Sequence, residues 1–259
     1  MRAMWSGAIS FGLVNIPIKL YSGSESNSLD LHMLRKGDLS PIKYLKVAAN
    51  DGKEVPYSDI VKGYKYADGE YIELDDKDFE SANIAKTKTL DILDFVMESE
   101  IDSRYYEKPY YLEPDKTGAK PYALLREALK KSKKVGIASF VIRNRENIGV
   151  LKPYGKGLIL NQLRYADELR SMDELKLPET KGVSDKEIKL ALTLIEQLTS
   201  KFNPESYHDT YIDDLKKIIE DKAKGRKIKP KGKEPKPTKV VDMMELLKKS
   251  LKEKRNRAA

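Results

Sequence analysis

The sequence predicts a mixed β/α protein that is mainly β, with a small helical module and a basic tail at its C-terminal end. Three observations lead there. Residues 3–21 alternate apolar and polar side chains as a strand does. Residues 136–170 hold apolar runs separated by short polar turns, the pattern of consecutive antiparallel strands. Residues 184–224 carry two amphipathic helical stripes, and a Lys- and Pro-rich run follows them.

Taken in order, Trp5, Ile9, Phe11 and Leu13 share one parity. After Leu13 the apolar set moves to Val14, Ile16, Ile18 and Leu20. One face stays buried through such a flip only if a turn or bulge intervenes, and Gly12 is the place for it. Pro17 marks an edge or bend. This start suits a barrel or a curved sheet.

Residues 22–27 form a polar loop. Short strand-like pieces follow at Leu29–Leu34, Ile42–Val47, Tyr64–Tyr66 and Glu70–Leu74, with turn signals at Asn50-Asp51-Gly52 and Asp68-Gly69. His32 reads as half-buried on the first of them. Asp75–Glu80 reads as a solvated helical turn or loop. A strand is expected over Thr87–Met97 and a shorter one at Pro109–Leu112. Pro121–Lys131 is a helix with Tyr122, Leu125 and Leu129 on its apolar stripe.

In the central stretch, strands are expected at Ile137–Ile142, Ile148–Lys152 and Leu158–Leu163, with a turn over Asn144–Asn147 and breaks at Pro153, Gly155 and Gly157. Arg143, Arg145, Lys152, Lys156 and Arg164 sit on and around these strands. A β-ribbon edged with cations can hold a polyanion. On pattern alone, a solvated basic face is the simpler account.

Tyr165–Glu174 reads as a helix or turn, and residues 178–182 as a break. Ser184 opens a helix, with Glu187 at capping-box spacing. A second helix is expected from about Glu205 to Lys224. Arg226–Lys239 is a cationic linker whose three prolines and few large apolar side chains keep it unfolded. Val240–Leu251 reads as a last short amphipathic helix.

Charge is uneven. From Lys222 to the end there are 15 basic and 4 acidic side chains, a balance of +11, against 34 basic and 37 acidic before it, a balance of −3. The tail therefore attracts polyanions in a salt-dependent way, whereas the body can do so only through local clusters. The densest cluster of the body is Lys130, Lys131, Lys133 and Lys134. It also suits the C-terminal dipole of the helix it follows.

The absence of cysteine excludes disulfides and thiolate metal sites. Two histidines are too few for a histidine-rich metal centre, and no Walker-type phosphate loop is present. No stretch reads as a signal peptide or a membrane span, so a soluble cytoplasmic protein, associated with the nucleoid through its tail, is expected. No catalytic centre, cofactor or metal is assigned. A tail-driven nucleoid DNA-binding protein stays open, as does a carboxylate-only nuclease that would need a divalent metal.

Three segments together resemble one family, the bacterial Ku proteins of DNA double-strand break repair: Arg2–Tyr21 (RAMWSGAISFGLVNIPIKLY), Lys108–Leu129 (KPYYLEPDKTGAKPYALLREAL) and the central stretch through VLKPYGKGLILNQLRYADELR. Some relatives carry a Cys-x-x-Cys pair where this chain has Ala48 and Asp51, so a zinc-stabilised hairpin is not expected. The resemblance implies a Ku-type β-barrel core with long β-arms over residues 1–182, a ligase-interacting helical module at 183–225, and a basic linker and tail at 226–259. It implies a homodimeric ring that threads onto double-stranded DNA ends without sequence preference or catalysis, in non-homologous end joining. It also implies recruitment of the ATP-dependent end-joining ligase, ligase D, through the region after the core, where Tyr207, Tyr211, Leu215, Ile218 and Ile219 are the contact candidates. Within the location so implied, charge selects Lys43, Lys46, Lys130, Lys131, Lys133, Lys134, Arg143, Arg145, Lys152 and Lys156 as DNA contacts, with Lys229, Lys231 and Lys233 in the tail.

Overall fold

The computed structural model describes residues 1–83, 88–143, 145–179 and 182–226. The chain divides into two compact units, Met1–Met172 and Asp173–Ala259.

The first unit is built on a hairpin. Strand β1 (Trp5–Phe11) turns at Gly12-Leu13 into β2 (Val14–Ser22), and Gly12 takes the left-handed φ of +60° that the turn demands. The register pairs Ile9 with Ile16 and Gly7 with Ile18. Facing residues therefore have opposite sequence parity, which is the physical content of the phase flip. Ile9, Ile16, Ile18 and Leu20 are all buried.

Two further strands, β3 (Lys62–Ala67) and β4 (Glu70–Leu74), pair with each other across the Asp68-Gly69 turn. Helix α1 (Asp76–Asn83) follows. Its first turn is closed reciprocally: the Asp78 N–H donates to the Asp75 carboxylate and the Asp75 N–H to that of Asp78, both at 2.9 Å. The strands expected at Leu29–Leu34 and Ile42–Val47 shrink to isolated bridges, Leu34 with Pro41 and Val47 with Glu54. Their side chains are exposed on both faces, so no buried face holds a longer ladder in register. His32 is likewise exposed and outside any strand, 3.8 Å from Asp30.

The chain then returns through β5 (Thr89–Val96) and β6 (Tyr106–Pro114), passes along helix α2 (Ala119–Ser132), and ends the unit with β7 (Val135–Ile142), β8 (Arg145–Tyr154) and β9 (Gly157–Leu163). Thr87, at the expected start of β5, lies outside the described residues. The order β1-β2-β6-β9-β8-β7-β5 closes into a barrel, with β5 running parallel to β1. The expected mainly β barrel is present, and closure leaves its sheet without a free edge.

The core joins barrel residues such as Leu90, Leu112, Phe140, Leu151 and Leu160 to Tyr122, Leu125 and Leu129 of α2. The Tyr122 hydroxyl donates to the Leu112 carbonyl and accepts from the Leu158 N–H, both at 2.7 Å. That bond fixes α2 at the end of the barrel where β6 finishes and β9 begins. A second cluster, Val135, Val150 and Leu163, is packed against Val96, Ile101, Tyr105 and Tyr106.

The turn expected over Asn144–Asn147 is corrected. Ile142 pairs with Arg145, so β8 starts three residues earlier than expected. Asn144 itself lies outside the described residues. Asn147 is a buried strand residue. Tyr165–Glu174 resolves into two short 3-10 turns, Ala166–Glu168 and Met172–Glu174.

In the second unit, helix α3 (Asp185–Leu198) has the expected Ser184–Glu187 capping box. Helix α4 (Thr210–Ala223) starts later than expected, because Asp209 caps it by accepting from the Tyr211 and Ile212 N–H groups. Pro204–Ser206 forms a separate 3-10 turn. Neither helix has a buried residue. The linker beyond Arg226 and the expected helix at Val240–Leu251 lie outside the described residues.

Candidate nucleic-acid interface

Of the cations chosen from the sequence, those that flank strand β7 fall at two ends of the barrel rather than in one patch. Strand β7 separates them. Lys130, Lys131, Lys133 and Lys134 precede its first residue, and Arg143 follows its last. Eight residues of strand put the two groups roughly 25 Å apart. All four lysines are exposed, and Lys133 ends α2 in a left-handed conformation with φ 56°. Lys156, in the β8–β9 turn, lies on their side of the barrel, where its carbonyl accepts from Arg126 at 2.5 Å.

Two of the predicted cations are engaged within the protein. Lys152 is only 23% exposed, pairs with Glu98 and lies 5.8 Å from the Tyr106 ring centroid. Its ammonium is held by Glu98 beside the ring of Tyr106, which packs on the second apolar cluster. Arg145 donates from Nη2 to Oε1 of Glu168 at 2.6 Å. Arg164 is similarly committed, donating to the Tyr106 carbonyl at 2.8 Å. In the segment between β2 and β5, Lys43 is exposed and Lys46 sits 4.9 Å from the Tyr57 ring. Lys229, Lys231 and Lys233 lie outside the described residues.

Around Arg143 the barrel opens into a cavity of about 510 Å³. The strand pattern explains its chemistry. Going along β9, the inward residues run Leu158, Leu160, Gln162; along β8 in reverse they run Leu151, Gly149, Asn147. The apolar core thus gives way to amides. Tyr110 donates to Gln162 Oε1 at 3.1 Å, Gln162 donates to Asn147 Oδ1 at 3.0 Å, and Asn147 donates to the Arg145 carbonyl at 2.7 Å. Lys108, Arg143 and Arg145 stand around this floor, with Glu107 beside them. Burial pushes the Tyr110 phenol up from its usual range; Glu107 adds to that and Arg143 opposes it. Sequence reading missed Lys108, Tyr110, Asn147 and Gln162, because polar residues at inward positions look like turn or surface residues.

The segment between β2 and β5 carries apolar surface. Leu31, Leu39, Leu45, Tyr44, Tyr57 and Tyr66 are each more than 65% exposed. In the second unit, Tyr207 and Tyr211 are exposed, Ile219 is exposed, and Leu215 and Ile218 are half-buried. Tyr207 stacks on Phe202 with ring centroids 5.7 Å apart. Among the described residues, no group of three or more His, Cys, Asp or Glu could hold a metal ion, and no helix is long and apolar enough to cross a membrane.

The family profile described as the Ku70/Ku80 beta-barrel domain matches residues 10–190. The chain belongs to the Ku family. Its similarity to curated Ku relatives runs nearly end to end. It is 43% identical to the Non-homologous end joining protein Ku of Opitutus terrae, over 97% of this chain and 91% of that protein. It is 40% identical to the protein of that name from Coxiella burnetii, over 98% and 95%, and 41% identical to that from Bacillus subtilis, over 97% and 82%. Residues 10–190 of this Ku chain take in every barrel strand but β1, of which only Ser10 and Phe11 fall inside.

Proposed function

We propose that this chain is a non-catalytic DNA end-binding protein of double-strand break repair, acting in non-homologous end joining. Two copies close a ring through the segment between β2 and β5, and the ring threads onto a duplex end without reading sequence. The similarity to proteins named for end joining, collinear over nearly the full length of both chains, carries this reading. The exposed leucines and tyrosines of that segment support the dimer. A patch of this kind on a soluble chain calls for cover, and a second copy would supply it. Exposed lysines and arginines on a body of net charge −3 support contact with the sugar-phosphate backbone, which gives affinity without sequence preference.

The helical module, with Tyr207, Tyr211, Leu215, Ile218 and Ile219, would recruit the end-joining ligase, ligase D. The tail, with Lys229, Lys231 and Lys233, would hold the protein near DNA, at the nucleoid in the cytoplasm.

Binding to linear, hairpin-blocked and circular duplexes of equal length, with and without magnesium, tests the proposal. A threading ring binds the linear duplex alone, needs no magnesium, and stays trapped when that duplex is circularised. Equal binding to the closed circle would mean that the tail, not a ring, is the binder. Cleavage with magnesium would point to a nuclease.

A further inference from the structure

The barrel is open at the end where Arg143 stands. Helix α2 fills the opposite end with Tyr122, Leu125 and Leu129, so the barrel is a cup with one mouth. Barrel mouths are common ligand sites, and about 510 Å³ lies within the range of small-molecule pockets. Its floor is rigid: Tyr110, Gln162 and Asn147 form a chain of hydrogen bonds that ends on the Arg145 carbonyl. Its rim carries Arg143, Arg145 and Lys108 against the single lining carboxylate, Glu107.

Arg143 is held at the rim by unusual backbone. It is not a glycine, yet it adopts φ 54° as the first residue of the β7–β8 loop. That conformation is the one a two-residue hairpin connection demands, so the turn fixes where the side chain departs. Among the described residues, neither Arg143 nor Lys108 forms a salt bridge.

We propose that this cup binds a phosphate monoester. The Arg143 guanidinium and the Lys108 ammonium, with the Arg145 guanidinium held beside them by Glu168, stand over a concave polar floor and match a compact dianion with several acceptor oxygens, and a guanidinium fork pairs with such oxygens two at a time. The monoester could be the 5′-terminal phosphate of a DNA strand or that of a free nucleotide. The proposal stands apart from ring threading, which needs only backbone diesters.

Isothermal titration of the full-length protein tests it, with thymidine 5′-monophosphate, thymidine, and a short oligothymidylate with or without a 5′-phosphate as probes. The mononucleotide should bind and the nucleoside should not, and the 5′-phosphate should tighten binding of the oligomer beyond what the tail gives its diesters. Arg143→Asn combined with Lys108→Ala should weaken it at least about tenfold, since two charge-assisted contacts are lost. Asn tolerates the left-handed backbone, so the loop is kept. Glu107→Gln should tighten binding, and Lys131→Ala with Lys133→Ala, at the other end of the barrel, should leave it unchanged. A gain in oligomer binding from the 5′-phosphate makes the strand end a ligand; mononucleotide binding without such a gain makes the ligand the free nucleotide. No phosphate-dependent binding, or an equal loss in the Lys131/Lys133 variant, overturns the proposal. Duplex-end binding measured on the same preparations separates that failure from a failure of the end-binding reading.

Discussion

Arg145 and Glu168 meet at 2.6 Å across 23 residues of sequence, tying the first residue of β8 to the turn that follows β9. Glu168 also accepts from the Tyr165 N–H at 2.9 Å. That N–H first, and the Arg145 guanidinium after it, hold the Glu168 carboxyl below the usual carboxylate range. A depressed carboxyl contributes stability that is present above its unfolded value and lost as pH falls through the folded one. The latch is therefore closed at neutral pH and opens only in acid, below the ordinary glutamate range. Glu168→Gln should open it at neutral pH. If Arg145 faces the duplex, end binding should tighten and its salt slope should steepen by up to about one unit. Titration at several salt concentrations reads this, and an unchanged slope would leave Arg145 a purely structural residue.

The two ends of the barrel can be told apart by the same measurement. Arg143→Asn with Arg145→Ala should flatten the salt slope of end binding by up to about two units, at roughly 0.9 per lost phosphate contact. Lys131→Ala with Lys133→Ala provides the matched loss of two charges roughly 25 Å away. The pair whose removal flattens the slope faces the duplex. Equal effects would place both ends along it, and no effect from the arginines would sink their assignment.

Much of this fold is legible in the sequence where neighbours in the chain are neighbours in the sheet. Strands β7, β8 and β9 pair consecutively, so apolar alternation and two short turns suffice to read them. The same pattern misleads over Leu29–Leu34 and Ile42–Val47, where the alternation is present and the partner strands are not. Barrel closure is also hidden, because β1 meets β5 across some 80 residues and the contact depends on a missing side chain. A Cβ at Gly7 would stand 2.3 Å from both the Lys88 carbonyl oxygen and the Trp5 ring. The basic character of the Arg143 hairpin is plain in the sequence. Its role as the rim of a cup is not, because Asn147 and Gln162 continue an inward face after the apolar signal has stopped.

Tyr122 tests how α2 is held. Tyr122→Phe keeps the ring in the core and removes the hydroxyl that serves the Leu112 carbonyl and the Leu158 N–H. Two buried backbone groups then lack a partner, at a cost of about 1–3 kcal/mol each. The denaturant midpoint should fall with little change in slope, and end binding should persist wherever the variant is folded. An unchanged midpoint would mean that water replaces the hydroxyl and that packing alone seats the helix.

The tail separates ring from non-specific binder. Deleting Lys224–Ala259 removes 14 basic and 4 acidic side chains, and with them most of the chain's sequence-independent attraction to DNA. The barrel and the segment between β2 and β5 are untouched by that deletion. If the ring does the binding, the truncated protein still loads on long linear duplexes through free ends, but leaves faster, bridges ends less well, and shows a flatter salt slope. Competition with closed circular DNA should fall at the same time, because circles offer the tail phosphates and the ring nothing. A truncated protein that no longer binds ends at all would make the tail the binder. Dissociation rates from linear duplex, with and without excess circular competitor, decide between the two.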